Sequence, residues 1–173
     1  IEMPTIEILP VAPDPDALDV FARGEIDLVC FTSPNAVDRF FEVIEDRLEM
    51  DSRNLAELWV AAIGPSTAKR LKEHGIRADV VPARAVSDSL LEKLIAEGRA
   101  GGRVLIPRAL VARDVLHEGL RAQGAEVTIL PLYRTAPVIP DGETLVLAPG
   151  ADAITFTSAS TVTNLLATVP AAL

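Results

Sequence analysis

Cysteine is scarcest where it would be most telling: the 173 residues contain one, Cys30. A single thiol can build neither a disulfide framework nor a cysteine metal site, and its place in the apolar run 26–31 makes it a core residue in a reducing compartment. No apolar run approaches the roughly 18–20 residues of a membrane span. The first residues, IEMPTIEILP, lack the basic start and small-residue cleavage site of a signal peptide, so a cytoplasmic protein without membrane contact is expected. Clusters of Lys and Arg are also missing, and the net charge is −9; nucleic acid is therefore not an expected partner, because phosphate backbones need local positive charge. An anionic small molecule remains allowed if helix N-termini, hydroxyls and a few arginines meet its charges locally. There is no G-x-G-x-x-G fingerprint after a strand, no Walker loop and no nucleophile elbow, so nucleotide and serine-hydrolase readings lose their support. His74 and His117 lie on helical segments without an evident carboxylate or second ligand, and are expected at the surface with no metal.

What is present reads as a folded α/β protein. Hydrophobic residues make up 49% and charged residues 24%, the balance of a chain that can bury a core. From Asp27, LVCFTS is a short strand, and AVDRFFEVIEDRLE after Pro34 and Asn35 has apolar residues at helical spacing, with Ser33 as N-cap. The alternation continues: strand 58–63, turn GPST, a helix closed by Gly75, strand 78–82, a helix after Ser87, strand 103–107, a helix over 111–124 and strand 126–133. Continuous apolar strands separated by amphipathic helices imply a parallel sheet covered on both faces.

After Tyr133 the chain changes character, with Pro137, Pro140, Asp141 and Gly142 close together. The opening segment resembles this one, so two extended segments are expected to pass between lobes. Then DAITFTSASTVTNLLATV repeats the strand and helix that begin at Asp27: Asp27, Phe31, Thr32, Ser33, Val37 and Phe41 match Asp152, Phe156, Thr157, Ser158, Val162 and Leu166 at a constant offset of 125. The expected organisation is a crossing segment over 1–10, a complete α/β lobe over 11–133, and a second crossing continuing a partial lobe over 134–173. The second lobe is expected to be incomplete at both ends. Residues 144–150 read as a strand by propensity where the duplication calls for a helix.

In such sheets ligands bind beyond the carboxyl ends of the strands, where helix N-termini present unpaired N–H groups. Thr32, Ser33, Ser66, Thr67, Thr157, Ser158 and Ser160 fall in these loops. Ser and Thr there are first of all helix caps; recurrence of hydroxyl pairs in three loops makes them candidates for carboxylate or phosphate binding. Arg108, after strand 103–107, either offers a bidentate fork to a carboxylate or is a solvated loop arginine. Tyr133 either faces a ligand or is an ordinary interface tyrosine.

The ordered set FTSPNAV, AAIGPSTAKRLKEHGI, ADVVPARAVSDSLLEKL, GGRVLIPRA, GAEVTILPLYRT and DAITFTSAST resembles the uroporphyrinogen III synthase family across nearly the whole chain. The resemblance implies two flavodoxin-like lobes joined by a two-stranded ladder, no metal or organic cofactor, and hydroxymethylbilane, a polycarboxylate, as substrate. It implies cyclisation through azafulvene and spiro intermediates with inversion of the last pyrrole ring and loss of water, a hydro-lyase reaction of tetrapyrrole biosynthesis. By similarity Tyr133 assists departure of the hydroxyl, while Ser33, Thr67 and Ser158 line the cleft. A monomer is expected, and a fused methyltransferase or deaminase domain, which bacterial relatives sometimes carry, is allowed. Activity is expected from the full-length protein rather than from 173 residues alone. Two other readings stand beside this one: a non-catalytic α/β module that binds a tetrapyrrole or another polyanion, and an unrelated regulator sharing only the architecture.

Overall fold

The computed structural model describes residues 4–112, 114–138, 150, 152–156 and 159–168. The chain divides into two compact units, Pro10–Arg134 and the pair of segments Ile1–Leu9 with Thr135–Leu173.

In the larger unit the helices begin where local chemistry starts them. Helix α1 (Pro15–Ala22) has Asp14 as N-cap, accepting the N–H of Asp16, and Pro15 in the first turn. The sequence reading begins this unit's alternation at Asp27 and misses α1, although Asp14-Pro15 followed by Ala17, Leu18 and Phe21 is a capped apolar stripe. Strand β2 (Leu28–Phe31) is buried throughout, and α2 (Pro34–Leu48) follows on Ser33. Strand β3 (Trp59–Ala62) leads to α3 (Pro65–Glu73), α4 (Ser87–Ala96) precedes β4 (Arg103–Ala109), and α5 (Val115–Ala122) precedes β5 (Glu126–Pro137).

The five-stranded sheet has the order β1-β5-β4-β2-β3, with β1 spanning Ile6–Pro10. Strands β2, β3, β4 and β5 run parallel, with Leu28 opposite both Trp59 and Val104, and Val104 opposite Val127. The strand expected over 78–82 contracts to one parallel bridge, Val80 to Ala61, at the outer edge of β3. Taken in chain order, the parallel strands β3-β2-β4-β5 lie 2-1-3-4, as in the flavodoxin order 2-1-3-4-5, with the topological switch between β2 and β4. The expected α/β class with a parallel sheet holds.

Side-chain alternation divides the core between the two faces of the sheet. Leu28, Cys30, Val104 and Ile106 pack with Leu90, Leu94, Leu116 and Leu120 from α4 and α5. Phe31, on the other face, meets Phe40 of α2 edge-on at 5.3 Å, and Phe40 meets Phe21 of α1 at 5.1 Å. At the amino end of the sheet, Arg103 grips Asp27 from Nε and Nη2 while its backbone N–H donates to the same carboxylate, so the starts of β2 and β4 are tied together.

In the smaller unit α6 spans Ala159–Thr168, Leu165 is buried, and Thr5 Oγ1 donates to the carbonyl of Thr161. The duplication predicts a strand before this helix. Residues 152–156 do not form one, and Ile154 and Phe156 are exposed. Phe31, the match of Phe156, is buried because β2 lies between β3 and β4. A strand exists only through its neighbours, and no described strand pairs with 152–156. Residues 144–149 lie outside the described residues.

Candidate active site

The switch between β2 and β4 is where the loops leaving two adjacent strands part company, and a crevice forms there. Thr32 follows β2; Arg108 and Ala109 end β4. A register shift between Arg108 and Ala109 sets Arg108 opposite Pro131 but Ala109 opposite Tyr133, which inserts Leu132 as an extra residue. The bulge re-aims β5 so that both Leu132 and Tyr133 are buried, as bulges beside functional sites commonly do. The result is a cavity of about 290 Å3 whose lining includes Thr32, Ile63, Ser87, Arg108, His117 and Tyr133.

Tyr133 is held by a specific partner. Ser33 Oγ lies 2.8 Å from Tyr133 Oη and also accepts the N–H of Ala36 at 3.0 Å as the α2 N-cap. The cap that starts the helix therefore also anchors the phenol.

Arg108 is 7% exposed, and its guanidinium is bonded from all three nitrogens. Nη2 donates to Ala112 O at 2.6 Å and Asp114 Oδ1 at 3.2 Å, Nη1 to Asp114 Oδ1 and His117 Nδ1, and Nε to Ala109 O. The side chain borders the cavity, but its fork is spent on folding the turn between β4 and α5. That turn is why α5 starts at Val115 and not at residue 111, as the periodicity suggests.

The histidine expectation is overturned. His117 is largely buried beside the cavity, with Asp114 at 3.6 Å; its Nδ1 accepts from a guanidinium that can only donate, so the neutral ring carries its proton on Nε2. His74 stacks on Phe41 at 4.3 Å and lies 3.1 Å from Asp38, joining α3 to α2. Both carboxylate partners come from helical geometry or tertiary packing that a linear reading does not display. Ser87 is the other residue sequence reasoning passes over: it is not the cap of α4, which is Val86, but the first helical residue, and it borders the cavity.

The remaining candidates are not gathered there. Ser66 is exposed, and Thr67 is fully buried, its hydroxyl without a hydrogen-bond partner among the described residues. Neither borders the cavity. The turn that carries them is pressed against Ala85, so closely that a Cβ on Gly64 would lie 2.5 Å from the Ala85 Cβ. Thr157 and Ser158 lie outside the described residues, as does the side chain of Ser160. Among the described residues Asp114, His117 and Glu118 bring potential metal-ligand atoms within 4.8 Å of one another. Because Asp114 and His117 already face Arg108, a cation there would be set against a guanidinium.

The fold and the cavity define a two-unit α/β protein with a hydroxyl-lined crevice at a sheet switch point. The chain belongs to the uroporphyrinogen-III synthase HemD family, whose model matches residues 1–172. A Methanothermobacter thermautotrophicus protein with a provisional uroporphyrinogen-III synthase name is 40% identical over 146 residues, 82% of this chain and 56% of that protein. Uroporphyrinogen-III synthase of Synechococcus elongatus is 33% identical over 173 residues, 95% of this chain and 63% of its own length. The chain thus spans 56% and 63% of these two relatives. A crystal structure of a mutant uroporphyrinogen III synthase from Thermus thermophilus superposes with a TM-score of 0.67 at 26% identity, covering 95% of this chain and 65% of that one. Among the described residues no helix is long and apolar enough to cross a membrane.

Proposed function

We propose that the full-length protein closes linear hydroxymethylbilane to uroporphyrinogen III with loss of water, acting as a hydro-lyase in the cytoplasm. The observation that carries this reading is Tyr133, a buried phenol at the switch-point cavity whose oxygen is fixed 2.8 Å from a capping serine. Family membership supplies the reaction, and the chemistry of the site is suited to it. A cavity of about 290 Å3 lies at the lower end of the usual range, about 300–1,000 Å3, and accommodates one substituted ring of a bilane rather than the whole molecule. The hydroxyls of Thr32 and Ser87 and the Nε2–H of His117 are the groups offered to a carboxylate arm.

Tyr133 Oη gives its proton to the departing hydroxyl. The C–O bond breaks with its electron pair going to oxygen, and water forms. The pyrrole nitrogen supplies the electrons that make the azafulvene, and the N–H proton it releases returns to the phenolate, so the tyrosine ends as it began. The substituted carbon of the last ring then attacks the methylene to give the spiro intermediate. The bond from that carbon to its original methylene breaks to leave a second azafulvene, which closes on the free carbon of the last ring as that carbon's proton passes to the azafulvene nitrogen. These steps need positioning more than acid or base. Thr32, Ser66, Thr157 and Ser158 remain proposed contributors to binding; Ser33 and Arg108, bonded within the protein, and Thr67, fully buried, take part only indirectly.

The test is the isomer ratio formed from hydroxymethylbilane. Turnover to the inverted isomer well above the uncatalysed proportion is expected, with Tyr133→Phe slowed about tenfold or more, since each decade is about 1.4 kcal/mol. Only the symmetric isomer at the background rate refutes the proposal. Tight uroporphyrinogen binding with that background rate points instead to a non-catalytic module.

A further inference from the structure

The contact between Ser33 and Tyr133 can run in either direction, and the direction matters. If the phenol donates to the serine, its proton is used up within the protein; if the serine donates, the phenol's proton is free. We infer that Ser33 donates to Tyr133 and is the positioning residue that aims the phenol's proton at the ligand. This rests on the leaving-group role proposed for Tyr133.

Three features support that direction. A serine hydroxyl has one proton and two lone pairs, and the N–H of Ala36 occupies one lone pair at 3.0 Å. Among the described residues the other hydrogen-bond partner of that hydroxyl is Tyr133 Oη, so donation to it uses the serine's proton. Secondly, the bond Ser33 accepts comes from the N-terminus of a fifteen-residue helix, the positive end of its dipole. Accepting there draws electron density from Oγ and strengthens its O–H as a donor, so that the chain Ala36 N–H to Ser33 O–H to Tyr133 Oη polarises in one direction. Thirdly, Ser33 is fixed before any ligand arrives: its backbone is extended at φ −164 and ψ 158, and Pro34 occupies the first helical turn behind it. As the phenol releases its proton, the charge growing on Oη meets a donor already in place and backed by the α2 N-terminus.

The assignment separates Ser33 from a group that touches substrate. Tyr133 is the only tyrosine in these 173 residues, and in the full-length protein the difference Raman spectrum between wild type and Tyr133→Phe isolates the Fermi doublet of this one phenol. The expected intensity ratio is that of an accepting phenol, moving toward the donor or free range in Ser33→Gly, a substitution that deletes the hydroxyl while keeping a good N-cap residue. In the full-length enzyme Ser33→Gly is expected to lower kcat about tenfold with KM little changed, and to have no further effect in the Tyr133→Phe background. Ser33→Thr restores both the rate and the doublet relative to the glycine variant. A wild-type doublet of a donating phenol overturns the inference. So does a Ser33→Gly effect that is equally large with and without the phenol, or one confined to KM, either of which makes Ser33 an independent binding group. The leaving-group reading fails on a different result, full kcat in Tyr133→Phe, whatever direction the doublet reports.

Discussion

Replacing Arg108 separates two roles that look alike from its position. As a clamp on a substrate carboxylate, Arg108 would leave the fold untouched when removed and weaken binding. The structure instead makes it the staple of the turn between β4 and α5. The strongest of its bonds is that to Ala112 O at 2.6 Å; those to Asp114, His117 and Ala109 run from 3.2 to 3.4 Å, at or beyond the long end of good N–H···O geometry. One charge-assisted bond is worth about 1.5–3 kcal/mol, and the ion pair to Asp114, whose side chain is 59% exposed, adds only about 0.2–1 kcal/mol. The acceptors left behind by Arg108→Met lie largely at exposed residues and rehydrate, so no large burial penalty is added. The sum is about 2–4 kcal/mol, or about 4–16 °C in Tm for a chain of this size. Arg108→Lys recovers little, since one ammonium cannot serve acceptors spread over several residues. Hydrogen exchange read at Leu110–Ala112 together with urea unfolding measures this directly. An Arg108→Met protein with wild-type stability and unchanged exchange, but with lost substrate affinity, refutes the staple and restores the clamp.

Further outcomes follow from other contacts. Burial pushes the Cys30 thiol up to about 12, so native protein at pH 8 should resist iodoacetamide and react fully once unfolded; labelling of the native state at the rate of a free thiol contradicts the buried position. Hydrogen bonds from the side chain and then the backbone of Arg103 hold Asp27 down to about 2 from 3.8. Because the folded value is the lower one, its stabilisation is complete above about pH 4 and fades as pH falls toward 2. The exposed setting limits it to about 1 kcal/mol, so the gap in urea midpoint between wild type and Asp27→Asn should narrow, without closing fully, between about pH 5 and pH 2.5; a gap unchanged at the lower pH rules the pair out as its source. Gly64→Ala should cost about 1–3 kcal/mol through its clash with Ala85 rather than through backbone strain, because Gly64 is extended at φ −174. Ala85→Gly should then rescue it, and failure to rescue excludes the clash.

Much of the fold is legible because it is written in local chemistry. Ser33 followed by Pro34, the apolar stripe at Val37, Phe40, Phe41 and Ile44, and the unbroken run into Phe31 each declare an element without help from distant residues. Composition and the single cysteine bound the class, and the order of the loop motifs points to the family. Where the sequence reading errs, a distant partner decides the outcome. The sequence from residue 111 has helical periodicity, yet Arg108 binds the Ala112 carbonyl and the Asp114 carboxylate, and the helix starts only at Val115. Residues 78–82 have strand propensity, but only Asp79 and Val80 reach the edge of β3, and the pairing stops at a single bridge.

The sequence by itself determined which hydroxyls stand beside helix N-termini, since capping depends on residues one to three positions apart. Only the tertiary structure decided which of them share a site. The switch between β2 and β4 and the bulge in β5 bring Ser33 and Tyr133, a hundred residues apart, into contact, while Ser66 and Thr67, equally plausible along the chain, stay outside the cavity. Spacing along a chain governs bonds within a turn; proximity across a sheet is set by strand order and register, and these emerge only when the whole core packs.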